Sequence, residues 1–469
     1  MKLPRRFWSQ ANRLQVRPPD FVEQRDGLVL QIWGEEGYWQ VVDEEFRDLL
    51  REAEQPISLE DIFTAHPDWA PHRKSVQGQL ANMAKAGLVE GTDASWPARW
   101  HHEPRGASPR PREPRLENIT INLLTGCNLC CRTCYVPPED RSSAKLDVAA
   151  LLRFLEDLRP CLGSTATLSL LGGEPFLYPE GVIQVGLWAK RHGFVCNVST
   201  NGTIPSDTLA EGLADAGLKV QVSLDGATAP TNDAIRGAGT FARATSTAQR
   251  LADRGIPVTL CMVCCRENLS EIPAYFRLAR SLGVQEVRFI PLKKLGNGRA
   301  GAVTPAPQLE IVQTICRELD AHPDFRAMCR SDLYSIIKSM LRESSQRQTC
   351  GSGTQTLLVQ TDGSIYPCIN TTLENLKLGH IADSSAATLA RGLEFGRRLS
   401  VESPGHPCHD CHVKRWCLGG CPGETLQQEG ALTRRHWNCN DLQQTIHYVM
   451  WRLAAESPAP QDHVTRTLI

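Results

Sequence analysis

Residues 119–135, ITINLLTGCNLCCRTCY, run a short alternating apolar stretch straight into four cysteines within eight positions, Cys127, Cys130, Cys131 and Cys134. The apolar stretch reads as a β-strand, which hangs the cysteines on the loop leaving its C-terminal end. Four cysteines so placed suit a zinc site, two disulfides or an iron–sulfur cluster. Adjacent Cys130 and Cys131 cannot easily both turn toward one tetrahedral ion, so the surroundings of the loop must decide which act together.

Downstream, strand-like runs at 166–171, 194–199, 220–224, 258–263 and 287–290 alternate with helical stretches such as 148–158 and 269–282. With the run at 119–123 they make six strand and helix pairs. That predicts an α/β fold with a parallel sheet, curled as a partial barrel or open and doubly wound. In either form the active residues belong beyond the C-terminal ends of the strands.

A chain of 469 residues suggests about three domains. With 41% hydrophobic and 22% charged residues and a net charge of -1, it has the composition of a globular protein with no overall field favouring nucleic acid or an anionic membrane. The opening MKLPRRFWSQANRL lacks an apolar core behind its positive charges, and no later stretch approaches a membrane span, so a cytoplasmic location is expected. Eighteen cysteines in a reducing compartment point to metal or redox chemistry rather than a disulfide scaffold.

Ahead of the barrel pattern, three short strand-like runs at 21–24, 28–33 and 38–42 are separated by turn signals at Asp26-Gly27 and 34–37. Helical patterns follow: Phe46, Leu49 and Leu50 on one face, a helix opened by the capping sequence Ser58-Leu-Glu-Asp61, and a third with Val76, Leu80 and Met83 before Gly87. This order suggests a winged-helix-like α+β module over 1–96. Residues 97–116, with five prolines and five arginines, read as a semi-rigid solvated linker. Nothing aromatic or periodic organises those arginines into a nucleic-acid surface. Beyond about 345 the chain turns rich in cysteine and glycine, a composition suited to loops wrapped around metal.

The spacing Cys127-x3-Cys131-x2-Cys134 resembles the signature loop of radical S-adenosylmethionine (SAM) enzymes, where three thiolates on a four-iron cubane leave one iron open. It leaves Cys130 as the odd one out, read as a thiol buried beside the loop. Leu170-Leu171-Gly172-Gly173-Glu174-Pro175 is similar to that family's GGEP motif, whose glycines let a ligand approach the backbone. Ser199 and Asn201 after the third strand, and Ser223 and Asp225 after the fourth, look like the family's polar strand ends around SAM. Arg236-Gly237 and Pro291-Leu292 leading to Gly298-Arg299-Ala300 add to the resemblance. One departure concerns adenine: the family usually has an aromatic residue before the last cysteine, where this chain has Thr133, with Tyr135 following.

The C-terminal cysteines, Cys350, Cys368, then Cys408-x2-Cys411-x5-Cys417-x3-Cys421, and Cys439, resemble the SPASM extension of radical SAM enzymes, although C-x2-C alone would equally suit zinc. The resemblance implies Cys408, Cys411, Cys417 and Cys439 on one auxiliary 4Fe-4S cluster and Cys350, Cys368 and Cys421 on another, one ligand short. No cysteine lies within 343–348; Cys329 is the nearest upstream candidate, with a plain reading as a helix-packed thiol, and otherwise one iron is open.

The implied organisation is a recognition module at 1–96, a linker at 97–116, a partial (β/α)6 TIM barrel at 117–344, a SPASM domain at 345–450 and a tail at 451–469. The implied activity is modification of a ribosomally made precursor peptide through a 5′-deoxyadenosyl radical, forming a thioether or carbon–carbon cross-link. SAM, three 4Fe-4S clusters and an external donor such as flavodoxin or ferredoxin would serve it, with neither nucleic acid nor membrane as partner. The peptide's leader is expected on the N-terminal module, between the strand at 38–42 and the helix carrying Val76, Leu80 and Met83. Two rivals are a sulfatase-type maturase acting on a Cys or Ser of a protein, and a redox-sensing DNA-binding regulator. Against the latter, Arg73 and Lys74 are the only basic pair opening the third helix.

Overall fold

The computed structural model describes residues 13–91, 115–136, 141–342 and 347–456. Most of the expected linker and of the C-terminal tail lies outside these residues.

Six parallel strands carry the barrel: β7 (Leu116–Leu124), β8 (Leu162–Gly172), β9 (Val195–Thr200), β10 (Lys219–Ser223), β11 (Val258–Cys264) and β12 (Glu286–Pro291), below numbered after the six strands of the N-terminal module. They stand side by side in chain order, as right-handed strand–helix crossovers dictate. Alternation sorts their side chains. Ile119, Ile121, Leu168, Leu170, Val198, Val220, Val222, Leu260, Val287 and Phe289 are fully or almost fully buried against the helices. Between them Asn118, Ser169, Asn197, Ser199, Gln221 and Arg288 take the other face, where they remain partly exposed. The barrel is therefore apolar outside and polar within.

The cysteine-rich region corrects one expectation. It contributes strands of its own, β13 (Thr356–Val359), β14 (Ser364–Tyr366) and β15 (Gly379–His380), and β13 pairs in parallel with β7 from Thr356↔Asn118 to Val359↔Ile121. The barrel sheet thus runs on to nine strands. The reason is the free edge of β7, whose N–H and C=O groups need partners that local sequence cannot supply.

In the N-terminal module the three anticipated strands are β2 (Phe21–Arg25), β3 (Leu28–Trp33) and β4 (Tyr38–Asp43), in the order β2-β3-β4. A second small sheet, of β1 (Arg13–Val16), β5 (Ile57–Ser58) and β6 (Val89–Gly91), closes the helical end. Helices Glu44–Glu52, Leu59–Ala65 and Arg73–Lys85 stand where the patterns put them. Ser58 accepts from Asp61 N–H and Asp43 from Phe46 N–H, each capping its helix.

Both faces of β3 and β4 are covered. Val29, Trp33, Tyr38 and Val42 pack on the module's helices, while Leu30, Ile32, Trp39 and Val41 join the core of the rest of the chain. Trp39 donates to Leu341 O (3.3 Å). Glu35 ion-pairs with Lys414 (2.5 Å), and its carbonyl accepts from Arg415. Gly34 sits so close to His412 that a Cβ would lie 2.7 Å from its backbone. The module is docked, not tethered.

The expected groove is corrected in both walls. Val76, Leu80 and Met83 are all fully buried as module core. β4 is an edge strand by order, yet Trp39, Gln40, Val41 and Val42 are 3% exposed or less.

Candidate active site and auxiliary cysteine sets

The loop after β7 carries Cys127, Cys131 and Cys134, all partly buried. Leu129 N–H donates to Cys127 Sγ (3.4 Å), with Asn201 Nδ2 at 3.8 Å. Burial pushes the Cys131 thiol up to about 11, with Arg236 opposing and Asp225, Cys134 and Cys127 adding to the rise. Thiols that raise one another in this way gain most from a shared cationic centre. Cys130 is exposed, with Arg141 Nη1 3.2 Å from its sulfur. The expectation of a buried thiol there is corrected: its neighbours turn inward, which leaves Cys130 facing out.

What holds the loop came only partly from motifs. Asn297 donates from its side chain to Cys131 O (2.7 Å) and from its backbone to Cys134 O (2.9 Å). Gly296, at φ +51°, lies where a Cβ would approach Cys134 O to 2.5 Å. The Gly-Asn-Gly turn at 296–298 was the available signal. Thr133, in place of an aromatic residue, donates to Asp225 Oδ2 (3.0 Å).

Gly172 and Gly173 meet a constraint within the chain as well. A Cβ on Gly172 would stand 2.0 Å from Leu124 O, and one on Gly173 1.9 Å from Gly126 O. The backbones of Gly173 and Glu174 bond across instead: Gly173 N–H to Leu124 O, Glu174 N–H to Gly126 O. The motif clamps the cysteine loop to β8.

Glu174 and Asp225 are likewise corrected as direct SAM contacts, since both are 0% exposed. Glu174 accepts from Thr200 Oγ1 (2.6 Å), Asn201 N–H (2.7 Å) and Phe176 N–H (3.0 Å), tying β8 to β9. Asp225 accepts from Val263 N–H and Thr133 and pairs with Arg236 (2.9 Å). Asn201, 7% exposed, bonds Asn128 and Thr203 around the loop. Ser199 and Ser223 remain partly exposed on the inner face.

The C-terminal cysteines fall into two sets. Burial, with Cys408, Cys411 and Cys439 adding to it, pushes the Cys417 thiol up to about 12. Cys350, exposed as a residue, still has a thiol that burial pushes up to about 11, with Cys368 and Cys421 adding and Lys293 opposing. Asn370 lines this second set, its N–H on Cys368 Sγ (3.2 Å) and its Nδ2 on Cys421 Sγ (3.5 Å). Among the described residues, no group of three or more His, Cys, Asp or Glu side chains converges on a single-ion position.

Cys329 does not join them. It bridges to Val287 at the start of β12 and is held up in pKa by burial, Asp332 and Cys316. The three-cysteine set lies past the other end of β12, where Lys293 follows Pro291. Lys293 faces Cys421 and pairs with Glu424 (3.6 Å), which is itself bound by Lys294 N–H (2.9 Å). Burial raises Glu424, but His436, Lys293 and Lys294 bring it down to about 2. Sequence reasoning missed both Lys293 and Glu424, because only the fold brings β12's end to the cysteine-rich region.

A parallel partial barrel with three thiols at its C-terminal mouth, followed by two further thiol sets, defines a radical SAM core with an auxiliary iron–sulfur domain. Residues 121–279 match the radical SAM superfamily and residues 350–412 the SPASM iron–sulfur cluster-binding domain. The chain thus carries the domains of a radical SAM enzyme of the SPASM type. It is 26% identical over 369 residues to the PqqA peptide cyclase of Methylorubrum populi, covering 77% of this chain and 94% of that one. It is also 26% identical to the mycofactocin maturase MftC of Mycobacterium tuberculosis, over 65% of this chain and 77% of that one. In fold it is similar to Streptococcus suis SuiB bound to S-adenosylmethionine, with a TM-score of 0.58 at 13% identity, covering 91% of this chain and 98% of that one. The structure of anSMEcpe with bound AdoMet gives a TM-score of 0.59 at 20% identity, over 71% of this chain and 97% of that one. Among the described residues no helix is long and apolar enough to cross a membrane.

Proposed function

We propose that this enzyme modifies a ribosomally made precursor peptide, joining two of its residues by a thioether or carbon–carbon bond. The observation that carries the reading is the likeness, across 94% of its length, to a peptide cyclase. Three 4Fe-4S clusters are proposed: on Cys127, Cys131 and Cys134; on Cys408, Cys411, Cys417 and Cys439; and on Cys350, Cys368 and Cys421. The first, loaded with SAM and reduced by a flavodoxin or ferredoxin, would supply the electron that cleaves the C5′–S bond of SAM into methionine and a 5′-deoxyadenosyl radical.

The chain's own groups orient and shield. Asn297, Gly172 and Gly173 hold the cysteine loop against the strand ends. The Glu174 and Asp225 networks fix β8, β9 and the loop in one register. Ser199, Asn201, Ser223 and the backbone at 172–174 are the proposed SAM contacts. The polar inner face offers hydrogen bonds to whatever enters beneath. Lys293 lies against Cys421, so an incoming peptide group at the third set would meet a cation.

The leader is proposed to bind the N-terminal module by strand addition at the β2 edge, where Val22 is exposed, the β4 edge being covered. Its docking on the SPASM region through Glu35, Lys414 and Arg415 favours this over the sulfatase-type reading, which leaves residues 13–91 without a role. Co-expression with a short open reading frame encoded beside the gene tests the proposal: mass spectrometry should find a peptide lighter by two hydrogens. Recovery of only unmodified peptides, alongside oxidation of a Cys or Ser in a protein substrate, would replace it with the sulfatase-type activity.

A further inference from the structure

Arg288 is the charged group of the barrel's inner face that the reading above leaves without a task. It lies on β12 between Val287 and Phe289, both fully buried on the helical side, so its side chain takes the inner side. Its Nη1 donates to Gln221 Oε1 (3.2 Å), and Gln221 Nε2 in turn donates to Ser199 Oγ (3.1 Å). Its Nε is screened from water and has no hydrogen-bond partner.

Two carboxylates on or beside the neighbouring strand ends are already engaged. Asp225 is taken by Arg236, Thr133 and Val263 N–H. Glu286, two residues earlier on the same face, accepts from Ser331 (2.5 Å). Among the described residues Arg288 has no ion pair. Arg288 is partly exposed, but its Nε is screened from water, and a charged donor so placed normally has a partner; the Gln221 contact uses Nη1 while leaving the Nε–Nη2 edge, the pair of parallel donors that matches a carboxylate.

The position of the guanidinium narrows the anion. Arg288 is paired in register with Cys261 and through it with Ser223, yet its hydrogen bond runs back to Gln221, two residues inward of Ser223. It therefore serves the lumen beneath the strand ends, where the proposed SAM contacts lie. We propose that Arg288 anchors a side-chain carboxylate of the substrate, an Asp or Glu near the residue that reacts, held on the Nε–Nη2 edge with Gln221 and Ser199 fixing the guanidinium plane. The inference rests on the peptide reading for the source of that carboxylate.

The test uses oxidised, cluster-loaded holoenzyme and small probes: N-acetylglutamate amide and N-acetylaspartate amide against their glutamine and asparagine counterparts, followed by saturation-transfer NMR. Wild type should favour an acidic probe over its amide by at least fivefold, and Arg288→Gln should lose that preference while binding SAM within about twofold of wild type in equilibrium dialysis. Arg288→Lys, which keeps the charge, should retain part of the preference. Equal binding of acid and amide by wild type overturns the proposal without reference to any variant. So does a tenfold loss of SAM affinity in Arg288→Gln with the acid preference intact, which would assign the arginine to SAM's own carboxylate. An acid preference in an enzyme that modifies no peptide would keep the site and discard the peptide.

Discussion

Phe21 and His412 stack face to face, ring centroids 4.3 Å apart and planes 9° from parallel, across the seam between the N-terminal sheet and the SPASM region. Phe21 also lies against His447 (4.6 Å), whose Nε2 is 3.0 Å from that of His412. The seam is thus an aromatic stack on a histidine pair, flanked by the Glu35–Lys414 ion pair. Phe21→Ala should weaken docking by about 1–2 kcal/mol, the worth of a partly buried Phe side chain. Hydrogen exchange should quicken in β2 and stay unchanged in β9.

The same seam should loosen on acidification. Burial, and then the charge of His412, hold His447 at about 4, below its ordinary 6.5. A depressed histidine keeps its full contribution above 6.5 and loses it as the pH falls toward 4, because the separated state takes up the proton first. The loss is at most about 3 kcal/mol. Exchange at β2 measured at pH 7 and 5 should show it, and His447→Gln should flatten the difference.

The buried pair of Asp225 and Arg236 organises the cysteine loop. Asp225→Asn should leave a buried arginine uncompensated, costing about 3 kcal/mol or more. A melting temperature equal to wild type's would show the pair to be dispensable.

Changing Cys127, Cys131 and Cys134 together to Ala should remove about four of about twelve irons per chain and abolish SAM cleavage. Cys130→Ala should keep both, and as an exposed thiol Cys130 should be the first of the four alkylated in apoprotein. Loss of a cluster in that single variant would redraw the ligand set.

At the three-cysteine set, Cys329→Ala should leave every cluster spectrum unchanged, because Asp332 and Cys316 surround that thiol at the far end of β12. Lys293→Gln should instead make the auxiliary cluster harder to reduce, by removing a cation beside Cys421. A redox titration followed by electron paramagnetic resonance distinguishes the two.

Much of this was legible along the chain because it is local. A strand's alternation, a cysteine spacing and a capping Ser58 involve residues a few positions apart, and the six barrel strands follow in order because each crossover returns to its neighbour. The glycine motif was legible as a motif but not for its cause, since Leu124 O and Gly126 O belong to another strand. Strands β1, β5, β6 and β13 escaped because two to four residues carry too little periodicity, and each is a strand only by virtue of a distant partner. Position decided the rest. Burial turned Glu174 and Asp225 from apparent ligands into struts, set Cys329 apart from the cluster it was a candidate for, and exposed Cys130. Sequence determined which groups the enzyme owns and in what order; the tertiary structure decided which share a dielectric and a partner, and charge and hydrogen bonding act through space rather than along the chain.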